Sequence, residues 1–491
     1  MKDRKTFTII FILFAILLSL WGASCSDKYA LALIERQPLY FKDLTYPELG
    51  EIEIPEVERV TLDNGIQLFL LEDHELPLIN VSAMIRTGSV YEPADKIGLA
   101  AITGNVMRTG GTTSKTGDQI DEELEQIAAS VETSISLNSG RASMSVLKED
   151  LDTALAIFAD VLMNPAFSED KIDLAKIRHR SAIARRNDHP SSINWREFWK
   201  LIYEPDSVYA RHTEYATIDN ITRDDLVAFH EKFYHPNNMM LAVWGDFETK
   251  EMIEKIKQAF TNWQKTDVQL PEKPEVEYQF RQTVNVIRKD DINQAYINLG
   301  HIGGMMDDPD YFALILMNRV LGSGFTSRLF KNIRSREGLA YSVYGYYDAE
   351  YDYPGVFYVG CQTKSESAVH AIRTMVREVE KMTESEVTDE ELALAKENFL
   401  NSFVFNFDTK GEIVRRLMTY EYFGYPADFL QKTKQNVEKV TKDDVLRVAK
   451  KHLQPDKMQI LAVGRPQDFD EPLSVLGTVR EIDITIPVPE K

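Results

Sequence analysis

The stretch TRDDLVAFHEKFYHPNNMMLAVWG, starting at Thr222, returns as TKDDVLRVAKKHLQPDKMQILAVG, starting at Thr441. At one unchanging separation the identities are Thr222/Thr441, Asp224/Asp443, Asp225/Asp444, Lys232/Lys451, Pro236/Pro455, Met239/Met458 and Gly245/Gly464. Each copy reads as a capped helix, a Pro turn and a final strand closed by Gly. Identities at one fixed spacing point to a duplication, and the spacing is far too long for a solenoid repeat. The chain therefore reads as two homologous domains joined by the Pro- and charge-rich segment KTDVQLPEKPEVEYQ.

Within the first domain the order is strands, then helices, then strands, which is an α+β pattern. VERVTLDNGIQLFLLE gives two short strands around Asn64-Gly65, a hairpin signal, and LINVSAMIRTGS gives a third strand. GDQIDEELEQIAASV is helical, with Asp118 as its expected N-cap. A second helix is stopped by Pro165 and a third, basic and amphipathic, by Pro190. The expected fold is two domains, each a mainly antiparallel sheet packed with helices, arranged as a clam shell around a cleft. The expected boundaries are residues 1–25 for an export signal, 26–56 for a tether, 57–265 for the first domain, 266–284 for the linker and 285–480 for the second domain.

The signal is MKDRKTFTIIFILFAILLSLWGASC: Lys2, Arg4 and Lys5, an apolar run from Phe7 to Trp21, then small residues before Cys25. It resembles a lipoprotein signal with lipidation at Cys25, although Gly22 stands where Leu is usual. An uncleaved membrane anchor and simple secretion are the alternatives. All three place the folded part outside the cytoplasm, and the expected location is the cell envelope. Cys25 and Cys361 are the 2 cysteines, too few for a disulfide framework or a metal knuckle. The net charge of −21 argues against nucleic-acid binding.

LDNGIQLFLLEDHELPLINVSAMIRTGS, FYHPNNMMLAVWGDF, LGSGFTSRLFKNIRSREGLAYSV and KHLQPDKMQILAVG together resemble the pitrilysin/insulinase family of inverted zinc peptidases, which includes the mitochondrial processing peptidases. Active members of that family carry H-x-x-E-H on the helix after the third strand, and a further Glu about 76 residues on completes the site. Two His ligate zinc from one helix face and the Glu polarises the metal-bound water. Here Gly98-Leu99-Ala100 sets the register, and the five positions read Ala101, Ile102, Thr103, Gly104, Asn105. The later position falls at Ser181, with Ala182 next. This set offers an amide and a hydroxyl where zinc needs three or four strong donors, so no metal or other cofactor is expected on this chain. Among the 9 histidines no two lie four apart with a Glu adjacent.

The resemblance implies that an Arg and a Tyr from the second domain help hold the substrate carbonyl, work suited to a cation and a phenol. IRSREGLAY supplies Arg334 and Tyr341 at the family's spacing. Gly322, Ser323 and Gly324 lie where relatives have a glycine-bearing substrate loop. The bland alternative is a surface ion pair for Arg334 and a packed Tyr341. The expected role is the non-catalytic, substrate-binding subunit of a heterodimeric zinc peptidase, with zinc on a homologous H-x-x-E-H partner chain and peptides held as added strands. A peptide-binding scaffold without peptidase function, and an independent zinc peptidase with atypical ligands, remain as alternatives.

Overall fold

The computed structural model describes residues 55–488. The export signal, Cys25 and all but the last two residues of the tether lie outside the described residues. The first half runs β1 (Glu58–Thr61), β2 (Gln67–Glu72), β3 (Leu78–Ile85), α1 (Leu99–Thr109), α2 (Gly117–Gln126), β4 (Ser130–Ile135), β5 (Gly140–Leu147), α3 (Leu151–Met163), α4 (Glu169–Ala184), α5 (Pro190–Tyr203), α6 (Tyr215–Asp219), α7 (Arg223–Phe233), β6 (Met239–Gly245) and α8 (Thr249–Ala259). The second half runs β7 (Thr283–Arg288), β8 (Gln294–Ile302), β9 (Gly304–Met305), α9 (Tyr311–Leu321), a π-helical turn (Phe330–Arg336), β10 (Ala340–Tyr347), β11 (Ala349–Glu350), β12 (Val356–Lys364), α10 (Ala368–Glu384), α11 (Asp389–Phe403), α12 (Lys410–Phe423), α13 (Phe429–Lys439), α14 (Lys442–His452), β13 (Gln459–Gly464) and β14 (Val479–Glu481).

The duplication is legible in the sheets. The first has the order β4-β5-β3-β6-β2-β1 and the second β10-β12-β8-β13-β7-β14. Antiparallel pairs dominate; β2/β6, β13/β7 and β7/β14 are the parallel pairs of these two sheets. The repeated segments become α7–β6 and α14–β13, and each helix opens on the expected cap: Thr222 accepts from Asp225 N, and Thr441 from Asp444 N. Two local expectations change. Thr116, not Asp118, caps α2, because Thr116 and Gln119 form a reciprocal capping box. The basic helix ends at Ala184, and Pro190 opens α5 instead of stopping α4, since a missing N–H is harmless at a first helical position.

Alternation in β2 shows how the sheets are covered. Leu68 and Leu70 face the core built with Ile102, Val106, Phe158 and Phe229. Phe69 and Leu71 point the other way, into a layer with Met84, Met240, Val414, Met418 and Tyr422. The last three residues belong to α12, a helix of the second half. The exchange is mutual: α5 of the first half buries Ile193, Phe198 and Ile202 with Leu461, Val463 and Ile302 of the second sheet. Helices α5 and α12 begin at 190 and 410, within a residue of the repeat spacing, so the duplicated helix has been swapped between the copies. The linker is thus not the sole connection between the halves. It lies along the surface instead, with Lys273 paired to Asp352 and Pro274 O accepting from Tyr209. After β14 the chain returns to the first half, where Ile484 O accepts from Asn187. Among the described residues no helix is long and apolar enough to cross a membrane.

Two histidines are part of this packing. His301 donates from Nδ1 to Ile302 O at 2.7 Å and accepts at Nε2 from Gln454 N at 3.1 Å, so it is neutral in the fold. Burial pushes it down to about 4, and His230, whose ring reaches Leu162 O, likewise to about 4. A depressed histidine gives its full contribution above its unfolded pKa of about 6.5 and loses it as pH falls toward 4. Burial pushes the Asp348 and Glu350 carboxyls up, which acts in the opposite sense over the same range. The histidine term is therefore isolated by comparison: a His301→Gln chain should lose about 2 kcal/mol less than the parent between pH 7 and pH 5 in denaturant titrations. Parallel losses in the two chains would contradict the neutral buried assignment.

Candidate functional site

Helix α1, where family members hold zinc, is fixed at both ends. The Glu92 carboxylate accepts from Ala100 N at 2.6 Å and Gly98 N at 3.2 Å, capping the N-terminus. Arg108, in the last turn, donates to Val131 O and Asp121. Between them the helix lies directly on β4: Thr133 Oγ1 donates to Gly104 O at 2.6 Å. A Cβ on Gly104 would stand 2.4 Å from Ile135 N and 2.7 Å from the Ser134 carbonyl carbon. The motif's Glu position is therefore closed by the backbone of the neighbouring strand. Ala101 is exposed and Asn105 half-buried. Ser181 sits on α4, which packs against α1, but its hydroxyl is spent on Ile177 O of its own helix. The residues at these positions do not fit zinc.

The cluster best spaced for a metal among the described residues is Asp308, Asp310 and His452. It does not fit either. Asp310 already accepts from Arg447 at 2.6 Å, Lys451 at 2.6 Å and His452 at 2.9 Å. Burial would raise its carboxyl, but these donors outweigh burial and hold it well below the usual range. Two permanent cations on one carboxylate oppose a third.

The second half carries a different arrangement. The π-helical turn Phe330–Arg336 ends in Gly338, whose φ of +65° reverses the chain into β10. At the start of β10 the ladder to β12 shifts register between Ala340 and Ser342. Tyr341 is the extra residue of this bulge, which turns its ring outward to 84% exposure. The reversal brings Arg334 to it. The guanidinium carbon lies 4.6 Å from the Tyr341 ring centroid and 4.7 Å from that of Phe330. Arg334 has no hydrogen bond or ion pair among the described residues, so its N–H donors are available. Neither bland alternative, a surface ion pair or a packed Tyr341, describes this geometry.

The glycine segment divides. Gly322 is buried, and a Cβ there would stand 2.4 Å from Gly345 Cα of β10; it serves close packing. Ser323 is half-buried, while Gly324, at φ +91°, is exposed with nothing near its missing side chain. Gly324 presents Phe325, 75% exposed, edge-on to Phe330 at 5.0 Å. The sequence pattern pointed to Arg334, Tyr341 and the glycines but missed Glu92, Phe325 and Phe330. The run GFTSRLF, with an aromatic after Gly and another five residues on, was the available signal for the last two.

Comparison with known proteins identifies the family. The family model described as Insulinase (Peptidase family M16) matches residues 69–196, and the one described as Peptidase M16 inactive domain matches 220–399. An uncharacterized zinc protease of Rickettsia felis is 26% identical over 340 residues, covering 68% of this chain and 80% of the relative. Non-peptidase homolog YmxG of Helicobacter pylori is 24% identical over 426 residues, covering 86% and 94%. The crystal structure of a peptidase M16 inactive domain from Pseudomonas fluorescens superposes with a TM-score of 0.76 at 24% identity, over 85% of this chain and 100% of that one. With H-x-x-E-H replaced and its Glu position sealed against β4, the chain belongs to the peptidase M16, or insulinase, family as a non-catalytic member.

Proposed function

We propose that this chain is the substrate-binding subunit of a two-chain zinc peptidase, paired with a homologous chain that bears H-x-x-E-H. The observation that carries the reading is the Arg334–Tyr341 clasp: the ring exposed, the guanidinium half-buried, and neither side chain hydrogen-bonded among the described residues, beside H-x-x-E-H positions that offer no zinc donors. A guanidinium and a phenol are suited to holding a peptide carbonyl as charge develops on its oxygen, provided another chain supplies the metal. Zinc would sit on the partner, and the substrates would be peptides. Residues 1–25 alone support placing the protein in the cell envelope, anchored by lipid at Cys25.

The test is co-purification with a zinc-bearing relative followed by peptide hydrolysis. Arg334→Ala or Tyr341→Phe in this chain should lower the rate of the complex by about tenfold or more. Unchanged rates would remove the reading. The name of the Helicobacter pylori relative, a non-peptidase homolog, favours a second reading in which the chain binds peptides without any peptidase partner. In that case no zinc-bearing chain would co-purify, yet peptide binding would still depend on Arg334.

A further inference from the structure

We infer that the surface around Arg334 selects peptides by negative charge: its ligand is an extended acidic segment with aromatic or large apolar residues between its carboxylates. The inference rests on the peptide-binding reading above and gives its substrate class. Its basis is a local reversal of charge. The chain as a whole carries −21, yet Arg328, Lys331, Arg334 and Arg336 fall within one short run. Arg328 is neutralised by a two-pronged pair with Glu391. Lys331, Arg334 and Arg336 have no carboxylate within ion-pair distance among the described residues, and Lys331 and Arg336 are exposed.

The duplication shows that the fold does not demand these cations. In the first half the element just before the outer strand β4 is α2, which carries Asp118, Asp121, Glu122, Glu123 and Glu125. In the second half the element just before the outer strand β10 is the basic turn. The same place in the two copies bears opposite charge.

Two further features favour a peptide over other anions. First, β10 is the last strand of its sheet and pairs only with β12. Its outer edge is tied at Gly345, whose N–H donates to Gly322 O, and Tyr341 to Val343 precede that tie. A strand end beside the cations can take an extended peptide as an added strand. Second, Phe325 and Tyr341 stand exposed on either side of Phe330 and Arg334, offering rings to apolar side chains while the planar guanidinium takes a carboxylate.

The experiment uses the full chain and fluorescence polarisation. The probes are a labelled peptide with Glu and Phe at alternate positions and its counterpart with Gln for every Glu. The Glu peptide should bind about tenfold more tightly at low salt, with the preference shrinking as salt is raised. A Lys331→Gln/Arg336→Gln chain should lose that preference while binding the Gln peptide as before. If both peptides bind alike and both need Arg334 and Tyr341, the charge inference falls and the peptide-binding reading stands. If neither peptide binds, both fall. If single-stranded DNA or vesicles with an anionic lipid displace the Glu peptide at lower concentration than unlabelled peptide does, the peptide is the wrong occupant.

Discussion

Gly104→Glu, the change that restores the central acid of H-x-x-E-H, should abolish folding and confer no activity. The carboxylate has nowhere to go. Its first carbon would overlap Ile135 N and the Ser134 carbonyl carbon, both backbone atoms of β4. Either the strand retreats, breaking the Thr133–Gly104 hydrogen bond and opening the core at Ile102 and Val106, or the helix does. Both routes add an ionised group to a buried position, so the loss should be about 4 kcal/mol or more. Gly104→Ala isolates the steric part and should also be clearly destabilising. Thermal unfolding followed by circular dichroism reads both. A Gly104→Glu chain that melted cooperatively within a few degrees of the parent would show that α1 is not seated on β4 as described.

Tyr422→Ala should be the most damaging substitution at the seam. Tyr422 is 5% exposed and lies on α12 against the first sheet. Its hydroxyl is within reach of Asn138 O at 2.8 Å and Ile85 O at 3.2 Å. The Arg86 guanidinium packs on its ring at 4.8 Å and donates to its carbonyl at 2.6 Å. Truncation leaves a cavity, an unpaired carbonyl and an Arg stripped of its ring, together worth about 4–5 kcal/mol. Tyr422→Phe keeps the ring and should cost about 1 kcal/mol. Denaturant titration separates the two variants. A loss of only about 1 kcal/mol for the alanine variant would mean that the two halves are not packed through α12.

Local signals in this chain were legible because local chemistry produces them. The Asn64-Gly65 hairpin formed, with Gly65 at φ +94°, and so did the repeated Thr-x-x-Asp caps and the Pro-to-Gly strand units. The empty motif was legible too, since ligand identity is a property of single residues. Helix α5 was not. Its apolar residues Ile193, Phe198 and Ile202 answer to strands of the other half, and nothing nearby in the chain announces that pairing. The seal at Gly104 was equally hidden: Gly in a helix reads as mere weakness until the strand that needs the space is in place. Arg334 and Tyr341 were visible as a spacing. Their contact depends on a left-handed Gly338 and a bulge at Tyr341, and both require the β10–β12 register to be known.

The crossed helices also govern how the protein can be made. When β6 emerges, whether from the ribosome or from an export channel, all six strands of the first sheet are present, but one side of it remains bare. Phe69, Leu71, Met84 and Met240 face water until residues 414–422 emerge to cover them. At a chain emergence of about 5–20 residues per second this exposure lasts on the order of ten seconds. The nascent chain thus carries a sticky sheet face for that interval, and a fragment ending in the linker carries it permanently. Chaperone dependence until the chain is complete, and insolubility of the isolated first half, follow from the same swap that makes the finished protein one unit.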